Sequence, residues 1–128
     1  MVSRPQVLVA CSDPDRQRTL LSVLSQCGLE PVTSSTVGEA RAILARQPIA
    51  LVFCAAELPD GTFRDLLRAP EAAAAKVPVV VASRVHNTGE YLEAMRLGAF
   101  DFIACPYQRA EVERIVTQAL PQAMAATV

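Results

Sequence analysis

The chain has no tryptophan, only 5 % aromatic residues, a single histidine and no run of lysines or arginines. Each shortage closes off a class of function. With a formal net charge of −1 and no basic cluster, it lacks the electrostatic footprint of a nucleic-acid binder, so no nucleic acid is expected as a partner. No apolar stretch approaches the roughly 18 residues of a membrane span. The opening MVSRPQVLVACSD lacks the long apolar region of a signal peptide. A cytoplasmic protein with no membrane partner is expected.

Cysteine is scarce in pattern, though not in number. Cys11, Cys27, Cys54 and Cys105 fit neither Cys-x-x-Cys nor a zinc-finger spacing. In a reducing compartment they are expected to be free thiols used for packing. His86 sits in SRVHNTGE, a loop by composition, with no partner set for catalysis. There is no Gly-rich phosphate loop and no cluster at metal-ligand spacing. No metal, cofactor or enzymatic activity is expected.

What is present is a repeated alternation. At 128 residues and 52 % hydrophobic, the chain suits one domain with a real core. Strands are expected at Gln6–Ala10, Leu29–Thr33, Ile49–Cys54, Val77–Ala82 and Phe100–Ala104. The first helix opens after Ser12 or Asp13 with Pro14 in its first turn, and Gly28 stops it. The second turns Val37, Ala40, Ile43 and Leu44 inward. A short one covers Gly61–Arg68, and the Ala72–Ala75 tract extends it or its loop. Two more run over Thr88–Leu97, with Tyr91, Leu92 and Met95 as its apolar residues, and Arg109–Leu120, which Pro121 ends. Residues 1–121 form the domain, and 122–128 read as a tail or linker.

Five strand–helix units with continuously apolar strands imply a parallel sheet covered on both faces. A barrel needs eight such units. The fold class is therefore α/β, a flavodoxin-like (βα)5 doubly wound sheet in the order 2-1-3-4-5. In such sheets ligands bind outside the carboxyl ends of the strands. The positions that matter are Cys11-Ser12-Asp13, Cys54-Ala55-Ala56, Ser83 and Ala104-Cys105-Pro106.

At those positions the chain resembles the receiver domain of bacterial response regulators, the CheY-like family of two-component signalling. VLVACSDPDRQRTLLSVL, LVFCAAELPDG, VPVVVASR and LGAFDFIACPY carry the resemblance, in order, over about residues 6–120. The family transfers a phosphoryl group to an aspartate at the end of the third strand. An acidic pair holds a divalent metal, while a hydroxyl and a lysine bind the phosphoryl oxygens. Here the acidic pair falls on Cys11 and Ser12, with Asp13 as the usual third acidic position. The acceptor falls on Ala55, the hydroxyl on Ser83 and the lysine on Cys105. Three of the four chemical roles are vacant.

The resemblance therefore implies a degenerate receiver, acting in phosphorelay signalling as a phosphorylation-independent interaction or dimerisation module. Its partner is a protein or a second copy, bound through the face of the fourth helix, fifth strand and fifth helix. A fused output domain or a histidine kinase is a further candidate. Phe102 is the aromatic switch position, expected inward as core. Tyr91, Asp101, Tyr107 and Arg114 are the interface candidates, with aromatics favoured. Two alternatives stand beside this. One is a thiol sensor, with Cys11 and Cys105 facing the vacated pocket and Cys54 buried on the opposite sheet face. The other is a working phosphoreceiver with a relocated acceptor, for which Asp13, Glu57 and Asp60 are the nearby carboxylates.

Overall fold

The apolar runs form the sheet. The computed structural model describes residues 4–85 and 87–120. His86, Pro121 and the segment 122–128, expected as a loop residue, a helix stop and a tail or linker, lie outside the described residues. In chain order the elements are β1 (Gln6–Ala10), α1 (Pro14–Gln26), β2 (Glu30–Ser34), α2 (Val37–Arg46), β3 (Ile49–Ala55), β4 (Glu57–Leu58), β5 (Gly61–Thr62), α3 (Phe63–Leu67), α4 (Pro70–Ala75), β6 (Val79–Ser83), α5 (Thr88–Arg96), β7 (Asp101–Ala104) and α6 (Arg109–Ala119).

Five strands pair in parallel in the order β2-β1-β3-β6-β7, which is the order expected from the sequence. Val7, Leu8, Val9, Leu51, Val52, Phe53, Val80 and Val81 are all fully buried. Successive residues of a strand point to opposite faces, so both faces are covered. On the helical layers, α1 packs on α6, and α2 packs on α3 and α4. Each buried large apolar side chain contributes roughly 1.5–3 kcal/mol relative to exposure.

Local chemistry sets the helix ends. The Asp13 carboxylate caps α1 by accepting from the Asp15 and Arg16 backbone N–H groups, at 3.0 and 3.3 Å. Gly28, at φ +81°, supplies the left-handed exit from α1. Thr36 caps α2 by accepting from Glu39 N–H at 3.0 Å, and the Glu39 carboxylate reaches back to Ser35 N–H at 3.1 Å.

The segment after β3 departs from the sequence reading. The expected helix over Gly61–Arg68 starts later, at Phe63, because Gly61–Thr62 pair antiparallel with Glu57–Leu58. Thr62 and Asp65 then form a capping box, with Asp65 Oδ2 accepting from Thr62 N–H at 2.9 Å. The alanine tract does not extend this helix. It belongs to a separate α4, because Pro70 has no N–H to donate and sits at a new helix start.

Strand limits shift for similar reasons. β2 covers Glu30–Ser34 instead of Leu29–Thr33, since its last residue pairs with Ala10 and its carbonyl accepts from Cys11 N–H. β3 runs on to Ala55, which pairs with Ala82. β6 begins at Val79 and reaches Ser83, which pairs with Ala104. β7 starts at Asp101; Phe100 before it is partly exposed.

Candidate functional site

The parallel ladder brings the ends of β1, β3, β6 and β7 side by side. Cys11 follows β1, Ala55 ends β3, Ser83 ends β6 and Cys105 follows β7. A cleft of about 480 Å³ opens at this edge. Its walls include Ser12, Arg16, Ala56, Glu57, Ser83, Arg84 and Glu90.

Three expected residues are not among those that line it. Ala55 is 2 % exposed and Cys11 3 % exposed, so both are part of the packed sheet edge. Cys105 is half-buried and is likewise not among the lining residues. The expectation that Cys11 and Cys105 face the pocket is therefore corrected. The Cys11 thiol instead donates to the Asp13 carbonyl oxygen at 3.6 Å. Cys54 is fully buried, as expected, and its thiol donates to the Ala55 carbonyl oxygen at 3.3 Å. Burial, with Cys11 adding to it, pushes the Cys54 thiol up to about 12. That thiol stays protonated at neutral pH and is a poor nucleophile.

The carboxylates near the cleft have other partners. Asp13 caps α1, and its Oδ2 accepts from Arg16 Nε at 3.3 Å. The hydrogen bond from the Arg16 backbone leads in holding Asp13 below its ordinary value, and the Arg16 side chain adds to it against some burial. Asp60, from the Leu-Pro-Asp-Gly turn, accepts from Val37 N–H at 2.7 Å and Gly38 N–H at 3.0 Å. Those two bonds hold its carboxyl low and pin the turn to the start of α2. Glu57 is an exposed residue of β4 at the cleft wall.

Ser83 is buried and also committed. Its hydroxyl donates to Glu90 Oε1 at 3.0 Å and accepts from Val85 N–H at 3.4 Å. Glu90 lies in α5, so the cleft wall is joined to that helix. The next residue in α5, Tyr91, meets Phe102 edge to face with ring centroids 5.8 Å apart. Phe102 is turned inward as core, as expected.

The other interface candidates divide. Tyr91 is exposed. Asp101 Oδ1 accepts from Phe102 N–H at 2.7 Å, and its Oδ2 lies 3.5 Å from Arg114 Nη1. Tyr107, expected on the partner face, is only 9 % exposed. Burial pushes its phenol up, while the adjacent Arg16 guanidinium pulls it down. The reason is packing: the residue after Pro106 turns back toward α1.

Sequence reasoning passed over Arg16 and an apolar patch. Arg16 stands three residues after Asp13, the spacing at which helix side chains meet. Leu92 and Met95 were read simply as the apolar residues of α5, yet the helix buries Ala94 and leaves Tyr91, Leu92 and Met95 outward. With Val85 and Phe100, these are the exposed large hydrophobic residues among the described ones, all between positions 85 and 100.

No family model matches the chain. It is 30 % identical over 119 residues to the Response regulator protein PilR of Pseudomonas aeruginosa, covering 93 % of this chain and 27 % of that protein. The chain thus spans about a quarter of the length of this curated relative. Among solved structures, a CheY-like response regulator receiver domain protein from Methanospirillum hungatei superposes with a TM-score of 0.84 at 17 % identity, covering 97 % of this chain and 99 % of that one. The beryllofluoride-activated NtrC4 receiver domain dimer gives 0.83 at 19 % identity, covering 92 % and 98 %. The chain has the fold of CheY-like response-regulator receiver domains, and its sequence likeness to a response regulator extends over nearly all of it.

Proposed function

We propose that this chain is a receiver-type module of two-component signalling whose state is not set by aspartyl phosphorylation. The observation that carries the reading is Ala55 at the end of β3, packed in the sheet edge with no group able to accept a phosphoryl. Cys11, Ser12 and Cys105 stand where the resemblance implies two carboxylates and a lysine. Asp13 and Asp60 are occupied as helix caps and Glu90 accepts from Ser83, which leaves Glu57 as the cleft-wall carboxylate not so engaged. The test is incubation with a small-molecule phosphodonor and Mg²⁺, followed by intact-mass measurement. No phosphorylated product is expected. A product mapping to Glu57 or another carboxylate would overturn the reading in favour of a relocated acceptor.

The working surface is the face of α5, β7 and α6, and its occupant is a second copy of the chain. Tyr91, Leu92 and Met95 form an apolar stripe on α5, and Phe100 is exposed just before β7. The same face carries both charge signs, through Arg96, Asp101 and Arg114, which suits a two-fold, self-complementary contact. The NtrC4 neighbour is itself a receiver domain dimer. A fused output domain or a histidine kinase is the class of partner that would read the dimer, and residues 1–121 are the unit that presents the face.

A further inference from the structure

The receiver resemblance implies a divalent metal at the turn after β1, and the residues here do not fit one. Mg²⁺ needs several hard oxygen ligands in near-octahedral array. Cys11 is buried and offers sulfur, and Ser12 offers only a hydroxyl. Asp13 is the one carboxylate of the turn, and both its oxygens are engaged: Oδ1 by two backbone N–H groups, Oδ2 by Arg16. Among the described residues, no group of three or more His, Cys, Asp or Glu is arranged to hold a metal ion.

A cation is nevertheless built into this edge. The Arg16 side chain is only 15 % exposed and forms part of the cleft wall. Its guanidinium is permanently charged. Its Nε donates to Asp13 Oδ2, after β1, at 3.3 Å. The Tyr107 phenol, after β7, stands near enough to feel that charge. The adjacent Gln17 strengthens the same turn, donating from Nε2 to the Cys11 carbonyl oxygen at 3.0 Å.

We propose that Arg16 is the resident cation of the cleft: it neutralises Asp13, sets the charge felt by the Tyr107 phenol, and leaves the site indifferent to divalent metal. The inference rests on the phosphorylation-independent reading but fails separately from it. One consequence is specific. Restoring the acidic pair alone does not restore a metal site, because Arg16 still repels the incoming ion.

The test is an NMR titration of the whole chain with Mn²⁺, whose paramagnetic broadening reports proximity. Three proteins are compared: wild type, Cys11→Asp/Ser12→Asp, and that double variant with Arg16→Gln added. The wild type is expected to show no localised broadening at residues 11–13 and 55–57. The triple variant is expected to bind at least about tenfold tighter than the double variant, the scale of effect typical for groups around a metal's own ligands. Equal binding by the two, failure of both to bind, or localised binding by the wild type would each overturn the proposal. A second comparison holds if the aspartates prevent folding. Arg16→Gln is expected to shift the Tyr107 ring signals and the amides of 105–108, with Arg16→Lys returning them toward wild type. Unmoved Tyr107 signals in Arg16→Gln would overturn it. Phosphorylation of the wild-type chain would instead remove the underlying reading.

Discussion

The cleft and the α5 face lie on either side of one hydrogen bond, and they are opposites. In and beside the cleft wall, the key polar groups already have partners inside the chain. Asp13 has α1 and Arg16, and Ser83 has Glu90. On the α5 face, large apolar groups have none. Leu92 is 53 % exposed and Tyr91 40 % exposed, while the strands of the sheet are buried. A site that satisfies its own charges has little left for a ligand. A face that leaves apolar surface in water gains by covering it. The contrast is what supports the proposed contact on α5, and the Ser83–Glu90 bond and Tyr91–Phe102 contact join the two regions.

The comparison breaks most sharply if charge is put back into the cleft. Ala55→Asp places a carboxylate in a sheet edge that offers it no metal and no lysine. The expected cost is at least about 2 kcal/mol in urea unfolding at neutral pH, since a buried charge without a partner is strongly unfavourable. Added Mg²⁺ is expected to recover none of it. Stability equal to wild type, or Mg²⁺-dependent rescue, would mean that the cleft still works as a receiver's.

Cutting the link between the regions has a smaller effect. Ser83→Ala removes the donor to Glu90 and is expected to cost about 1 kcal/mol in the same assay, the net worth of one hydrogen bond. The Tyr91–Phe102 pair is expected to show a coupling of about 0.5–1.5 kcal/mol in a double-mutant cycle of Tyr91→Ala and Phe102→Leu. A coupling of zero would separate α5 from β7 and weaken the joint account.

On the face itself the expected stability change is smaller still, within about 0.5 kcal/mol for Leu92→Asp, because the side chain already stands in water. Its effect belongs to association. Sedimentation is expected to show self-association of the wild type and its loss in Leu92→Asp. An unchanged dimer would move the contact elsewhere.

The gentlest probe is pH. The carboxyls of Asp13 and Asp60 are held below their ordinary values, chiefly by hydrogen bonds from backbone N–H groups. They therefore bind fewer protons folded than unfolded in the acid range. Their stabilisation is fully present above the unfolded value, near pH 4, and is lost as pH falls through the lowered folded values. Asp60→Asn is expected to flatten the acid limb of stability against pH and leave the neutral region's slope alone.

The fold was legible because it rests on redundant signals. Five apolar runs, caps such as Asp13 and stops such as Gly28 each point to the same sheet. The segment 57–75 was harder, since a two-residue antiparallel pair leaves no periodicity and Pro70 divides what composition presents as one helix. The site was legible as a set of positions and less so as contacts. Cys11 and Cys105 were placed at the correct strand ends, but whether a side chain lines a cleft depends on its neighbours' packing. Tyr107 shows the limit best: an aromatic beside a proline reads as surface, yet the side chain is only 9 % exposed. The exposed side of α5 was missed because Leu92 and Met95 are apolar whichever way they point.

The central claim is that association through α5 proceeds without phosphorylation. Sedimentation velocity of the whole chain, over a range of concentrations, with and without a small-molecule phosphodonor and Mg²⁺, tests it directly. The account predicts one concentration-dependent monomer–dimer curve under both conditions. A dimer that forms only when the phosphodonor and Mg²⁺ are present would contradict it.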